Sequence, residues 1–221
     1  MSYSIKSLCL AAGITAASTM GASAALLDFT ASTNTSGSIG GGINWSLSAT
    51  GGAVNADTDS DAQGLTPGAP LALVTDGVGV GGQDDEVTNT GQTLTLSFTK
   101  TIFLQGVHFL DLFIGPNGTE SALTFNDADN SLIVTVFATD DGEESPNNGY
   151  GFKAVADLAI KSITFVPGDG NDTANGDFAL AAINYRSTDG NTPDTVPLPA
   201  AGFLLMGALG GLGLARRRKK A

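Results

Sequence analysis

The side chains able to do chemistry in this chain are almost all carboxylates, with 22 Asp and Glu against one histidine and one cysteine in 221 residues. Three stretches concentrate them. "DTDSDAQG" sets Asp57, Asp59 and Asp61 at alternate positions, which opens like an EF-hand loop. It then lacks the Gly required at the sixth place and carries Gly68 at the twelfth, where a bidentate Glu belongs. "GDGNDTANGD" offers Asp169, Asn171, Asp172, Asn175 and Asp177, and "QDDE" offers Asp84, Asp85 and Glu86. Hard oxygen ligands of this kind suit Ca²⁺, and an ion bound to the folded state alone adds stability by mass action. The expected calcium ligands are Asp169, Asn171, Asp172 and Asp177. Asp57, Asp59, Asp61, Asp84, Asp85 and Glu86 are the weaker set, and a solvated acidic loop is the competing reading for each cluster. No cofactor is required.

The remaining chemistry is sparse. His108, within "GVHFLDLF", could act as a general base, but no Ser or Cys sits in a nucleophile elbow beside it, so a structural role is expected. One His and one Cys cannot build a zinc site. "GVGVGG" (77–82) satisfies G-x-G-x-x-G, yet Asp84, Asp85 and Glu86 follow where a helix N-terminus would have to receive a pyrophosphate. It reads as a loop. No catalytic residue is assigned, because no spacing singles out a carboxylate pair of the glycosidase kind.

The elements that must carry these residues are strands. Short runs rich in Thr, Val, Phe and Ile alternate with Gly, Asn, Asp and Ser, which is the vocabulary of strands and turns. The expected strands are 26–31, 43–49, 71–75, 93–98, 107–114, 120–125, 132–138, 151–156, 158–166 and 177–185. "TLTLSF" alternates strictly, with Leu94, Leu96 and Phe98 on one face and Thr93, Thr95 and Ser97 on the other. The Gly-rich stretches 36–42 and 77–82 are expected as loops or bulged edges. Nine or ten strands with no helical periodicity between them predict an all-β fold, a single antiparallel β-sandwich over residues 25–186. Residues 187–195, "STDGNTPDT", read as a flexible stalk.

Both ends differ from this body. Residues 1–24 open weakly basic, run apolar from Leu8 and end in Ala22-Ser23-Ala24, the layout of a secretory signal helix cut before Ala25. Cys9 lies inside it, so the exported domain contains no cysteine and is held by its core or by bound ions. At the other end residues 200–215 are uninterruptedly apolar or Gly and predict a transmembrane helix of about 24 Å, workable with snorkelling flanks. Arg216, Arg217, Arg218, Lys219 and Lys220 follow at once and hold that end on the cytoplasmic side. Between Asp28 and Asp194 lie all 22 acids and only Lys100, Lys153, Lys161 and Arg186, a net charge of −18 that repels phosphates and excludes nucleic acid as a partner.

Before the span stands Val196-Pro197-Leu198-Pro199-Ala200, whose alternate prolines hold an extended backbone that a protease cleft can grip. Motif, span and basic tail in this order (196–221) resemble the PEP-CTERM sorting signal of Gram-negative bacteria in its VPLPA variant. The resemblance implies an exosortase, a membrane cysteine protease-transpeptidase, as a partner that removes the oily tail. "DGVGVGGQDDEV", "QTLTLSF" and "LAIKSITFVPGDGNDTANGDFALAAINY" resemble the jelly-roll ectodomains of such proteins, themselves similar to galactose-binding-like modules. In those domains the last strand carries paired acids. Asp177 fits the first, while Ala181 and Ala182 stand where the second often falls.

These readings converge on an exported, non-catalytic surface protein associated with exopolysaccharide or matrix, with glycan or calcium contacts. Its path would run through the Sec translocon, signal peptidase, a transient inner-membrane anchor and exosortase to the cell surface. An extracellular polysaccharide hydrolase and an uncleaved type I membrane protein are the alternatives.

Overall fold

Strict apolar alternation over residues 43–48 and 93–98 becomes buried and outward faces of strands in a computed structural model of the chain, which describes residues 24–56, 71–81, 86–88, 91–115, 118–139, 149–168 and 177–188. The strands in chain order are β1 (Ala25–Asp28), β2 (Ser36–Ile39), β3 (Ile43–Thr50), β4 (Val54–Asn55), β5 (Gly79–Val80) and β6 (Thr93–Leu110). There follow β7 (Ile114–Gly115), β8 (Gly118–Thr119), β9 (Ser121–Asn126), β10 (Ser131–Phe137), β11 (Gly151–Pro167) and β12 (Ala179–Ser187). Among the described residues there is no helix, and so none long and apolar enough to cross a membrane. The expected signal helix, stalk, sorting motif and transmembrane helix lie outside the described residues, apart from Ala24 and the first stalk positions.

Eight strands form one antiparallel sheet in the order β1-β12-β6-β11-β9-β10, with β3 also paired to β6 and β2 to β3. Its two long members fold it over. Leu94 pairs with Phe165, and Phe109 pairs with Gly151 at the far end of the same two strands. A straight strand from Leu94 to Phe109 would separate those ends by about 50 Å. The Phe109 and Phe165 rings nevertheless meet edge to face with centroids 5.8 Å apart. The sheet therefore doubles back into two layers with a shared core. One layer holds β1, β12, the second half of β6 and the first half of β11. The other holds β2, β3, the first half of β6, the second half of β11, β9 and β10. Leu94, Leu96, Leu104, Val107, Phe109, Ile163, Phe165, Phe178, Ile183 and Tyr185 are all buried between them.

The bend falls at Thr99-Lys100-Thr101, three consecutive exposed residues within β6. Past it, Ile102 and Leu104 face the core, then the parity changes to Val107 and Phe109. The change matches a bulge against β12, where Asn184 pairs with Gly106 and Tyr185 with Leu104. The expected strand 93–98 and residues 107–110 of the expected strand 107–114 are thus parts of one strand, which ends where Asp111 turns left-handed (φ 60°), and 151–156 and 158–166 are likewise parts of one strand.

Two expectations are corrected. Residues 71–75 are not a strand, although "LALVT" alternates. Leu73 takes a left-handed φ of 51° and Val74 is exposed. The Asp28 and Thr30 side chains claim the segment's donors: Ala72 N–H donates to Asp28 Oδ2 (2.8 Å) and Leu73 N–H to Thr30 Oγ1 (3.0 Å). Side-chain capping from β1 and the residue pair after it has replaced ladder pairing. Conversely, residues 36–39 of the Gly-rich stretch, expected as a loop or a bulged edge, form an edge strand on β3 with no bulge. A Cβ at Gly37 would fall 2.9 Å from Trp45 Nε1, so glycine lets the Trp45 ring lie across β2, where it also meets Phe29 edge to face at 5.4 Å. Trp45 is a core residue. In the second glycine stretch, Gly77 has φ 118° and lies so close to β12 that a Cβ would come within 2.6 Å of Leu180 O.

Candidate functional site

Carboxylates from two of the acidic stretches meet at the entrance to β12. Val87 N–H donates to Phe178 O (2.8 Å), and both side chains are fully buried. Their neighbours Glu86 and Asp177 are thereby set side by side. Glu120 arrives from the segment before β9: its N–H donates to Phe113 O (3.1 Å), and its Oε2 accepts from Phe113 N–H (2.7 Å). Burial pushes the Asp177 carboxyl up to about 7, the Glu120 charge and hydrogen bond push the same way, and a hydrogen bond with Glu86 opposes them. The Asp177 carboxyl keeps its proton well above the usual carboxylate range. Among the described residues no group of three or more His, Cys, Asp or Glu is arranged to hold a metal ion.

The second cluster surrounds His108 on the outer face of the first layer. His108 pairs in register with Phe152 on β11 and with Ala182 on β12. Its ring stacks on Phe152 at 4.5 Å, and Nδ1 shares a 2.8 Å hydrogen bond with the Tyr150 hydroxyl. Burial lowers the His108 pKa from 6.5, against a hydrogen bond from Asn184 and the charge of Asp28, which raise it. Nε2 is buried without a hydrogen-bond partner. Burial also pushes the Tyr150 hydroxyl up to about 12. The imidazole is neutral at pH 7 and wedged between aromatic rings, which fits a structural part better than that of a proton carrier. Since this is the only histidine in the chain, a proton NMR titration reads it without assignment. The expected midpoint lies below 6.5, and a midpoint at or above that value would show the ring to be solvated.

Of the residues expected from sequence, Asp177 and Glu86 meet, although they were read as members of different clusters. Asp57, Asp59, Asp61, Asp84, Asp85, Asp169, Asn171 and Asp172 lie outside the described residues, as do Ala22, Val196, Pro197, Leu198, Pro199, Ala200, Arg216, Arg217, Arg218, Lys219 and Lys220. Ala25 opens β1 directly opposite Tyr185. Sequence reasoning missed Glu120, which stands alone in its stretch and carries no local signal. Alternation put Thr95 and Ser97 on the outer face, but it did not show the rows of hydroxyls they join across strands. Ser36, Ser46, Ser97 and Ser162 fall in one row across β2, β3, β6 and β11, and Ser48, Thr95 and Thr164 in the next.

No protein-family model and no curated protein matches this chain. Some solved structures do. A truncated AlyQ with CBM32 and alginate lyase domains aligns at 10% identity and TM-score 0.38, over 75% of this chain and 34% of its own. This chain thus spans about a third of that protein's length. The C-terminal domain of a chitobiase from Bacteroides fragilis aligns at 16% identity and TM-score 0.27, over 49% of this chain and 67% of its own. CBM32-3 from a family 31 glycoside hydrolase of Clostridium perfringens aligns at 13% identity and TM-score 0.27, over 73% of this chain and 94% of its own.

Proposed function

We propose that this chain is an exported, non-catalytic surface protein whose β domain is released from two processing signals and associates with extracellular polysaccharide. The domain would be a jelly-roll sandwich of the galactose-binding-like kind, reached through the secretory translocon, signal peptidase, a transient inner-membrane anchor and exosortase. One observation carries the reading. The first and last strands of the sheet pair with each other, Ala25 opposite Tyr185, and among the described residues the core clusters run from Leu27 to Tyr185. The described fold therefore closes on itself between the two expected cut sites, as a domain released by two cuts would need. Its net charge of −18 and hydroxyl-lined outer face favour a neutral, hydrogen-bonding partner over an anionic one.

The hydrolase alternative has Asp177 in its favour, a protonated acid beside other carboxyls. Against it, Asp177 spends its hydrogen bonds on Glu86 and Glu120, whereas glycosidase carboxyls stand about 5–10 Å apart with the scissile bond between them.

Intact-mass spectrometry of the protein exported by its native cells tests the sorting claim. The expected mass begins at Ala25 and ends within Val196–Ala200. A mass that retains Arg216–Lys220 would leave the uncleaved membrane protein as the correct reading.

A further inference from the structure

On the outer face of the second layer the side chains form two parallel relays that fork from one carboxylate. Ser162 Oγ donates to Asp127 Oδ2 (2.5 Å), and Thr164 Oγ1 donates to Asp127 Oδ1. Across to β6, Ser97 Oγ lies 3.0 Å from Ser162 Oγ, and Thr95 Oγ1 lies 2.9 Å from Thr164 Oγ1. Each hydroxyl has one proton and two lone pairs. The Ser162 and Thr164 protons are committed to the carboxylate, so Ser97 and Thr95 must donate into them. That leaves Ser97 and Thr95 as pure acceptors toward anything that approaches from outside. Ser46 and Ser48 extend the same rows onto β3 and stand exposed. Two rows of hydroxyls, about 7 Å apart along the strands, have thus been polarised by Asp127 as far as Ser97 and Thr95 on β6.

The other half of this face is apolar. The Thr95–Thr164 row continues through Phe125 on β9 to Leu132 on β10, and Leu132 is 53% exposed. Phe137, two pairs along β10 on the same side, is 60% exposed. The face therefore offers hydrogen-bond acceptors on β6 and, three strands or about 14 Å across it on β10, an aliphatic and aromatic strip. A chain of pyranoses laid across the strands is built to match, with hydroxyl donors at its edges and C–H bonds on its ring faces.

From this juxtaposition we infer that the outer face of β3, β6, β11, β9 and β10 binds a neutral, hydroxyl-rich polysaccharide chain, with Thr95 and Ser97 as acceptors and Phe137 and Leu132 as the apolar platform. The inference rests on the polysaccharide association proposed above and locates it. Charge selects the neutral polymer, since an anionic chain would meet Asp127 and the acidic body.

The test is affinity electrophoresis of the mature protein in gels containing hydroxyethylcellulose, dextran or mixed-linkage β-glucan, with alginate as the anionic control. Retardation by at least one neutral glucan and not by alginate is expected. Thr95→Val with Ser97→Ala removes both outward acceptors and should raise the dissociation constant about tenfold. Phe137→Ala should weaken retention independently. Both variants change outward side chains, and unchanged melting temperatures will show that they fold. Full retention by the Thr95→Val, Ser97→Ala protein overturns this site while leaving the association intact. Free migration of the wild type through every neutral gel overturns the site and the association together. Retardation that 0.5 M salt abolishes would be ionic and would also overturn it.

Discussion

Phe109→Ala is expected to lower the melting temperature by about 10 °C, because a buried Phe truncated to Ala costs about 3–5 kcal/mol and this domain size loses about 2–4 °C per kcal/mol. The ring is completely buried and stands where the two layers meet. It packs edge to face on Phe165 from the second layer at 5.8 Å and on Phe178 at 5.1 Å. Deleting it opens a cavity where both halves of the folded-over sheet depend on each other. Neither half can close that cavity without moving the other. Leu132→Ala removes an exposed side chain of similar character and should cost under about 1 kcal/mol. Thermal melts of the two variants check the architecture directly. Equal losses would mean that Phe109 is not clamped between layers, and the doubled sheet would be wrong.

Asp177→Asn should stabilise the protein at pH 8 and do little at pH 4. The carboxyl titrates near 3.8 in an unfolded chain and at about 7 in the fold, so between those values the folded chain holds an extra proton. The stability this group contributes is fully present below about pH 4 and is lost as the pH rises through about 7. Asparagine keeps a donor toward Glu120 and never ionises. The gap corresponds to about 4 kcal/mol for a fully buried group. Asp177 is only partly buried, and solvent screening cuts this to about 1–2 kcal/mol, or about 3–6 °C in melting temperature at pH 8. His108 works in the opposite sense in an overlapping range, because its lowered pKa makes stability fall as the pH drops below 6.5. Comparing variant with wild type at each pH cancels that contribution. A loss of stability at both pH values, of similar size, would show that the Asp177 carboxyl acts as an ordinary ionised acceptor.

Several strands could be read from alternation alone. Ile43, Trp45 and Leu47 bury one face of β3 and leave Asn44, Ser46 and Ser48 outside, as their spacing requires. The length of β6 could not be read, because Thr99-Lys100-Thr101 looks like a turn in one dimension. Those three residues remain in the strand and are exposed because the sheet bends there. The signal for its continuation was present in Ile102 and Leu104, two residues apart and both buried. For "LALVT" the reverse held. Its alternation was sound, but Asp28 and Thr30, more than 40 residues earlier, captured its backbone donors.

What the amino-acid order decided by itself is what depends on local periodicity and on composition: a β domain with apolar inner faces, its acidity, and two ends whose composition differs from that of the body. Period-two patterning assigns a side chain to a face without knowing which strand will lie beside it. What only the tertiary structure decided is which faces meet. The carboxyl cluster of Glu86, Asp177 and Glu120, the wedging of His108 between Tyr150 and Phe152, and the Asp127 relays all join residues from different strands or loops. Their chemistry arises from burial and cross-strand register, and neither exists until the sheet has folded onto itself.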